Sequence, residues 1–213
     1  GLIGCQAVQP TDAAARKTAA CKSVSLAYLR DSAVVLNSKT VDIEEITSNS
    51  VYGSGYDPEY AFDGMPAGNW TQWISSHDFR PFTRASVIQV RYAVPRQAIG
   101  YTLLGRYESL KDRLPKDWIL QGSNDASGSA SDPLTSTRWT TLDSASGMGI
   151  GVQWNSPTSY AGITRAISCP ASYLRYRLCV TAVNGSSVVD LIEIELLARP
   201  DGQLLFPRDS ARN

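Results

Sequence analysis

The sequence has one histidine, His77, and few of several other informative residues: four cysteines, two methionines and four phenylalanines in 213 residues. With one histidine, a Ser-His-Asp triad has nowhere to form except around His77, and no Gly-x-Ser-x-Gly elbow accompanies it. Neither a Walker-type nor a dinucleotide-type glycine loop is present. Cys5, Cys21, Cys169 and Cys179 form no C-x-x-C pair, so the residues for a structural zinc site are missing. Basic and acidic residues balance at 20 each, which removes any electrostatic case for nucleic acid or an anionic membrane surface. No apolar run approaches the ~20 residues of a helical membrane span. Glu193 and Glu195 fall on one face of a single strand, without the cleft that an acid/base pair needs. The chain therefore reads as a binding module, not an enzyme.

Alternation of apolar and polar residues is abundant. Ile88, Val90, Tyr92 and Val94 share one face of a strand, with Gln89 and Arg91 on the other and Pro95 as its end. Ile99, Tyr101 and Leu103 make the next inward row, followed by Trp118 with Leu120, then Trp139, Thr141 and Asp143. Leu174, Tyr176, Leu178 and Val180 oppose Arg175 and Arg177, and Ile192, Ile194 and Leu196 oppose Glu193 and Glu195. Ser/Gly/Pro turns separate these runs, and no convincing helix falls between them. The pattern is that of an antiparallel sandwich with two inner faces. It predicts that Trp73, Trp118, Leu120, Tyr176 and Ile194 are buried.

The first 45 residues differ in texture. Thr11 to Ala20 reads as a capped, Ala-rich helix start. Val24, Leu26 and Tyr28 alternate, as do Val34 and Leu36, which suggests short strands there too. Residues 1–45 are read as an N-terminal arm that makes its main contacts with another chain or a larger assembly. Residues 46–198 form the sandwich, and 199–213 a polar tail. Leu2-Ile3-Gly4-Cys5 is similar to a lipobox, but no charged and apolar segment precedes it. Gly1 is accordingly read as following a removed initiator Met, with lipid anchoring through Cys5 as the lesser expectation. Four cysteines allow three pairings, and Cys179 fits a buried thiol as well as a disulfide.

The stretch Pro58–Ser76 combines two apolar anchors, Phe62 and Trp73, with a turn at Asp63-Gly64 and several oxygen-bearing groups. It reads in two ways. A carboxylate, loop carbonyls and a hydroxyl within about a dozen residues suit a hard cation such as Ca²⁺. The same residues also make an Asx-turn capped by a buried tryptophan.

Taken in order, Ile46–Ser50, Ala61-Phe-Asp-Gly64, Thr71-Gln-Trp73-Ile-Ser75, Ile88-Gln-Val90, Pro115-Lys-Asp-Trp118, Gln121–Asp125, Trp139, Tyr173–Leu178 and Ile192–Leu196 resemble the coagulation factor 5/8 type C domain. That family is discoidin-like and galactose-binding-like, and it includes the family 32 carbohydrate-binding modules. The resemblance covers about residues 46–198. It implies an all-β fold: an eight-stranded antiparallel jelly-roll β-sandwich with ligand loops at one end. It also implies a structural Ca²⁺ held by the Tyr60 carbonyl, Asp63, Thr71 and Glu193, with the Ile192 carbonyl. The loop between Asp63 and Thr71 is longer than the usual form. For a sugar, the implied contacts are His77, Arg80, Arg106, Tyr107 and Trp154, because aromatic faces stack on sugar C–H groups while Arg donates to hydroxyls. Each also has a plain reading: the charges as solvated loop residues, His77 as an ordinary surface side chain, Trp154 as core. The function implied is glycan binding and adhesion on a cell or particle surface, extracellular or on a virion. The alternative is a structural decoration of a larger particle, for example a phage, that uses the sandwich without binding sugar.

Overall fold

The computed structural model describes residues 24–36, 43–64, 71–76, 85–106, 110–154 and 160–200. Among these, one α-helix, α1 (Leu26–Ser32), precedes eleven strands. They are β1 (Val34–Val35), β2 (Ile43–Ser48), β3 (Trp73–Ile74), β4 (Ser86–Gln97), β5 (Gly100–Arg106), β6 (Pro115–Ser123), β7 (Thr140–Ala145), β8 (Tyr160–Ala166), β9 (Ser172–Val183), β10 (Asp190–Leu191) and β11 (Glu193–Ala198). A sheet in the order β1-β11-β5-β8 faces a sheet in the order β2-β4-β9-β6-β7, and β10 pairs with β3 in a short ribbon. The ladders between named strands are antiparallel. The fold is therefore the all-β sandwich that the alternation implies.

The inner faces carry the apolar rows. Trp73, Trp118, Leu120, Tyr176 and Ile194 are each at most 2% exposed. Their burial is the main stabilising term of such a fold, at ~25 cal/mol per Å² of apolar surface. One polar chain threads this core. Trp118 Nε1 donates to the Tyr101 hydroxyl at 2.7 Å, and that hydroxyl donates to Asp143 Oδ2 at 2.6 Å. Arg165 closes the chain with Nη2 donating to Asp143 Oδ1 at 2.9 Å. Burial, and then the Asp143 carboxylate, hold the Tyr101 phenol well above its ordinary range. Tyr101 thus stays protonated and acts as donor and acceptor at once.

Three sequence expectations change. Strand β4 does not end at Pro95 but runs to Gln97, with a register shift against β9 between Arg91 and Arg96. A bulge of this kind tolerates a proline and turns the side chains, so Val94 leaves the core row and is 47% exposed. Residues 24–36, assigned to an arm contacting another chain, belong to the sandwich. Ser25 Oγ accepts from Tyr28 N at 3.2 Å and caps α1, where alternation had suggested a strand. Leu29 of α1 is buried with Ile99 and Leu197. A Cβ on Gly100 would lie 2.6 Å from Leu29 Cδ1, so glycine there admits the helix. Strand β1 then pairs with β11, Leu36 enters the main core, and β2 begins at Ile43, ahead of the boundary drawn at residue 46. The expected helix at Thr11–Ala20 lies outside the described residues.

The third change concerns the outer face of the five-stranded sheet. Arg175 and Arg177 point away from the core, as the alternation requires, yet only 7% and 1% of their surfaces are exposed. The connection between β6 and β7 folds back over them. Ala130 of this connection is buried with Val87 and Cys179, and Leu134 packs against them. Arg177 holds it in place: Nη1 donates to the carbonyls of Ser129 and Asp132 at 3.2 and 2.9 Å, and Nη2 to that of Pro133 at 3.0 Å. Its guanidinium also lies 4.2 Å from the centre of the Trp139 ring. Cys169 is disulfide-bonded and Cys179 is a buried free thiol, while Cys5 and Cys21 lie outside the described residues.

Candidate functional site

Antiparallel pairing brings several chain segments to one end of the sandwich. Strand β5 ends there at Arg106, β6 begins at Pro115 opposite Val183 of β9, and β10 begins at Asp190 opposite Ile74 of β3. The Asn184 side chain, just after β9, ties the start of β6 to the Met148 loop, with Nδ2 donating to Leu114 O at 3.0 Å and Met148 O at 3.1 Å. Tyr52 joins the same end, its backbone N–H donating to Ile74 O at 2.9 Å. The Tyr52 ring is 64% exposed and meets Tyr56 edge-on at 6.1 Å. Tyr52 is thus an exposed aromatic residue on a held backbone.

Asp190 is the unusual group at this end. It is 1% exposed, and neither carboxylate oxygen has a hydrogen-bond donor among the described residues. Arg113 Nη1 stands 3.9 Å from its Oδ2. Burial raises its pKa to about 7, against the opposing pull of Arg113 and Arg106. Burial wins because 3.9 Å is the outer limit of an ion pair, and a carboxylate without donors loses its hydration uncompensated. Asp190 is too enclosed to touch a large ligand. It can position Arg113 and Arg106, whose guanidinium groups are suited to sugar hydroxyls or anions.

The sugar contacts expected from sequence divide three ways. Arg106 lies at this end, as the last residue of β5. His77, Arg80 and Tyr107 lie outside the described residues. Trp154 is corrected: it is a core residue with 0% exposure, and its Nε1 donates to Pro115 O at 2.8 Å. Its ring packs at a tilt on Trp118, 6.4 Å between centroids, so neither indole face is available for stacking. Tyr52, Arg113 and Asp190 were missed. For Asp190 a signal existed, a single carboxylate inside the apolar run Val188-Val189-Asp190-Leu191-Ile192.

The Asp63-Gly64 turn meets Glu193 of β11. The Pro58–Phe62 segment is a 3₁₀ turn, and Gly64 follows at φ 70°, the left-handed conformation that the Asp-Gly pair suggests. Glu193, 0% exposed on β11, reaches this turn, and its Oε2 accepts from Gly64 N at 3.1 Å. Thr71 Oγ1 is buried without a hydrogen-bond partner among the described residues. No group of three or more His, Cys, Asp or Glu side chains that could hold a metal ion gathers among the described residues. Thr71, Asp63 and Glu193 all offer oxygen, and an all-oxygen donor set suits a hard cation better than a soft one.

No protein-family model matches the chain, and no curated protein matches it in sequence. Solved structures match its fold. The F5/8 type C domain of a Bacteroides fragilis protein superposes with a TM-score of 0.56 at 14% identity, over 79% of this chain and 96% of that one. The family 32 carbohydrate-binding module of Clostridium perfringens NanJ, solved in complex with galactose, gives 0.52 at 11% identity, over 78% and 98%. Chitosan-binding module 2 of a Paenibacillus chitosanase/glucanase, solved with chitotriose, gives 0.50 at 19% identity, over 73% and 95%. The fold is the galactose-binding-like β-sandwich shared by these modules.

Proposed function

We propose that this chain, a sandwich of the kind that carries family 32 carbohydrate-binding modules, is a non-catalytic glycan-binding module. The observation that carries the reading is the loop end itself. There Arg106 and Arg113 flank a buried carboxylate, while an exposed tyrosine stands on a backbone tied to the same strands. Arginines supply donors to sugar hydroxyls, and an exposed aromatic ring supplies a stacking face. The solved modules with galactose and chitotriose support this reading by their fold. A site of this open type binds one sugar at Kd ~1 mM, or ~4 kcal/mol, so useful adhesion needs many copies. Display on a cell or particle surface follows from that arithmetic. The disulfide at Cys169 supports an oxidising location over a cytosolic one.

Ca²⁺ belongs to the same proposal, as a structural ion. Asp63, Glu193, the Thr71 hydroxyl and the Tyr60 carbonyl would hold it. Bound there, it supplies positive charge that ties the Asp63-Gly64 turn to β11.

The test compares monomeric and multimerised protein on glycan arrays and on cells, with Arg106→Ala and Tyr52→Ala as site variants. Multimers should bind where monomers bind weakly, and each substitution should reduce binding. If multimerisation brings no binding, or both variants bind as well as the parent, the loop end is not a sugar site. The chain would then be better read as structural decoration of a larger particle.

A further inference from the structure

The cysteines carry a further assignment. Cys169 is disulfide-bonded, while Cys179 is a free thiol on the five-stranded sheet, buried with Val87 and Ala130. Cys5 and Cys21 are the other two cysteines of the chain, so one of them is the partner within it. The surroundings of Cys169 choose between them.

Cys169 sits in the turn between β8 and β9, and its backbone is pinned on both sides. Ile167 N donates to Ile99 O at 3.0 Å, and Gln97 Nε2 donates to Pro170 O at 3.1 Å. Just before the turn, Ala166 packs on the cluster of Leu29, Ile99 and Leu197, and Val24 packs on the same cluster. Cys21 lies three residues before Val24, and Cys169 three residues after Ala166. Three residues span at most ~10 Å. A disulfide needs Cα atoms roughly 4.4–6.8 Å apart, so both cysteines start from one cluster within reach of each other. Cys5 is nineteen residues before Val24. That longer loop makes its meeting with Cys169 rarer, on the order of tenfold.

Helix α1 gains from such a bond. It has seven residues, too few to hold a helix in water unaided, and Leu29 is its one buried residue. Its other tie to the sandwich is the Arg199 guanidinium, 5.5 Å from the centre of the Tyr28 ring. We propose that Cys21 and Cys169 are bonded to one another, and that this bond is a redox-sensitive clasp holding α1 on the sandwich. It forms by exchange with an oxidant disulfide. The two cysteine thiols give up two protons and two electrons, and the oxidant leaves as two thiols. A dithiol reductant reverses the exchange. Cys169 is exposed, so a reductant reaches the bond without opening the sheets. The clasp lies at the end of the sandwich away from Arg106, because β5 pairs Gly100 with Ala166 and Arg106 with Tyr160. It does not depend on the loop-end reading.

Tryptic mapping of the full chain without reduction, with free thiols alkylated first, tests the pairing. Trypsin places the four cysteines on separate peptides. The expected product joins residues 18–22 to residues 166–175, and reduction separates them. Three results would overturn the pairing: residues 1–16 joined to 166–175, two copies of 166–175 joined together, or 166–175 unlinked. Hydrogen exchange tests the clasp. Reduction, or Cys21→Ser, should speed exchange at the Leu29 and Arg30 amides at least tenfold and leave the β4, β6 and β9 amides unchanged. Cys21→Ser and Cys169→Ser should lower Tm alike, by ~5–15 °C, and the double variant by no more than either. Cys5→Ser should change neither exchange nor Tm. Unchanged α1 exchange after reduction, or additive losses in Tm, would overturn the clasp. Mapping and reduction use the parent chain, so both decide the matter even where a variant fails to fold.

Discussion

The substitution Asp190→Asn isolates what a buried carboxylate does to this fold. In the parent the Asp190 pKa rises from its ordinary 3.8 to about 7, chiefly by burial. At ~1.4 kcal/mol per pH unit, that gap amounts to ~4 kcal/mol of coupling between ionisation and folding. The sign follows from proton counting. Below about pH 4 the carboxyl is protonated in both folded and unfolded chains, and its contribution is fully present. Between about pH 4 and 7 the unfolded chain has released the proton and the folded chain still holds it, so stability falls as pH rises. Above about 7 both are ionised and the loss is complete.

Asparagine has nearly the same shape and no such titration. Any fixed effect of the amide, including its contact with Arg113, is the same at every pH. The quantity to follow is therefore the stability difference between variant and parent across pH 4 to 8. Urea unfolding with a common m-value supplies it, using tryptophan fluorescence and the disulfide left intact. Asp190→Asn should gain on the parent by ~4 kcal/mol over that range, whatever its offset at pH 4. A difference constant to within about 1 kcal/mol would refute the reasoning. Arg113 and Arg106 would then outweigh burial, and Asp190 would be ionised at every pH of interest.

Other perturbations test the remaining parts. Tyr101→Phe leaves the buried Trp118 Nε1 without its acceptor and removes a donor from Asp143. It should cost ~2–4 kcal/mol, or roughly 5–15 °C in Tm by calorimetry, and a cost under about 1 kcal/mol would mean that the chain rearranges easily. Leu29→Ala should cost ~2–5 kcal/mol in chemical denaturation, because α1 packs on the sandwich, whereas an independent arm would give under ~0.5 kcal/mol. Calcium at a hundredfold excess over Kd should raise stability by ~2.7 kcal/mol, and a chelator should reverse it. In Asp63→Asn that response should shrink strongly. A parent Tm indifferent to both calcium and chelator would leave Asp63 as a turn residue only.

Much of the fold is legible because period-two alternation is a local signal. Each inner row, from Ile88-Val90-Tyr92 to Ile192-Ile194-Leu196, can be read within a few residues. What escapes is set by distance along the chain. Trp154 sits in a segment without alternation, and only its meeting with Trp118 and Pro115, over thirty residues away, makes it core. Val94 leaves the inner row because of a bulge that depends on the partner strand β9. Helix α1 is held by Ile99 and Leu197, which lie far from Leu29 in sequence. Asp190 is only partly legible: its apolar neighbours announce burial, but not the arginines beside it.

Arg175 and Arg177 show the limit of reading charge as solvent exposure. Alternation places both on the outer face correctly, and the inference from charge to water then fails. A guanidinium can be buried when its donors are met, and Arg177 meets Gln121 Oε1 at 2.9 Å besides three carbonyls and a tryptophan face. Desolvation still weakens its hold on the proton, lowering its pKa, but the surrounding oxygens keep the burial tolerable. The carbonyls come from Ser129, Asp132 and Pro133, more than forty residues before Arg177 in the chain. A loop dominated by Ser, Gly and Asp reads as solvated, yet here an arginine fixes it from below, beside the small apolar contact of Ala130 and Leu134 with Val87 and Cys179. The same arrangement at Arg175 is less complete: Nη2 donates to Ala126 O at 2.7 Å and Nη1 to Glu45 Oε2 at 3.4 Å, while Nε is buried with no hydrogen-bond partner among the described residues.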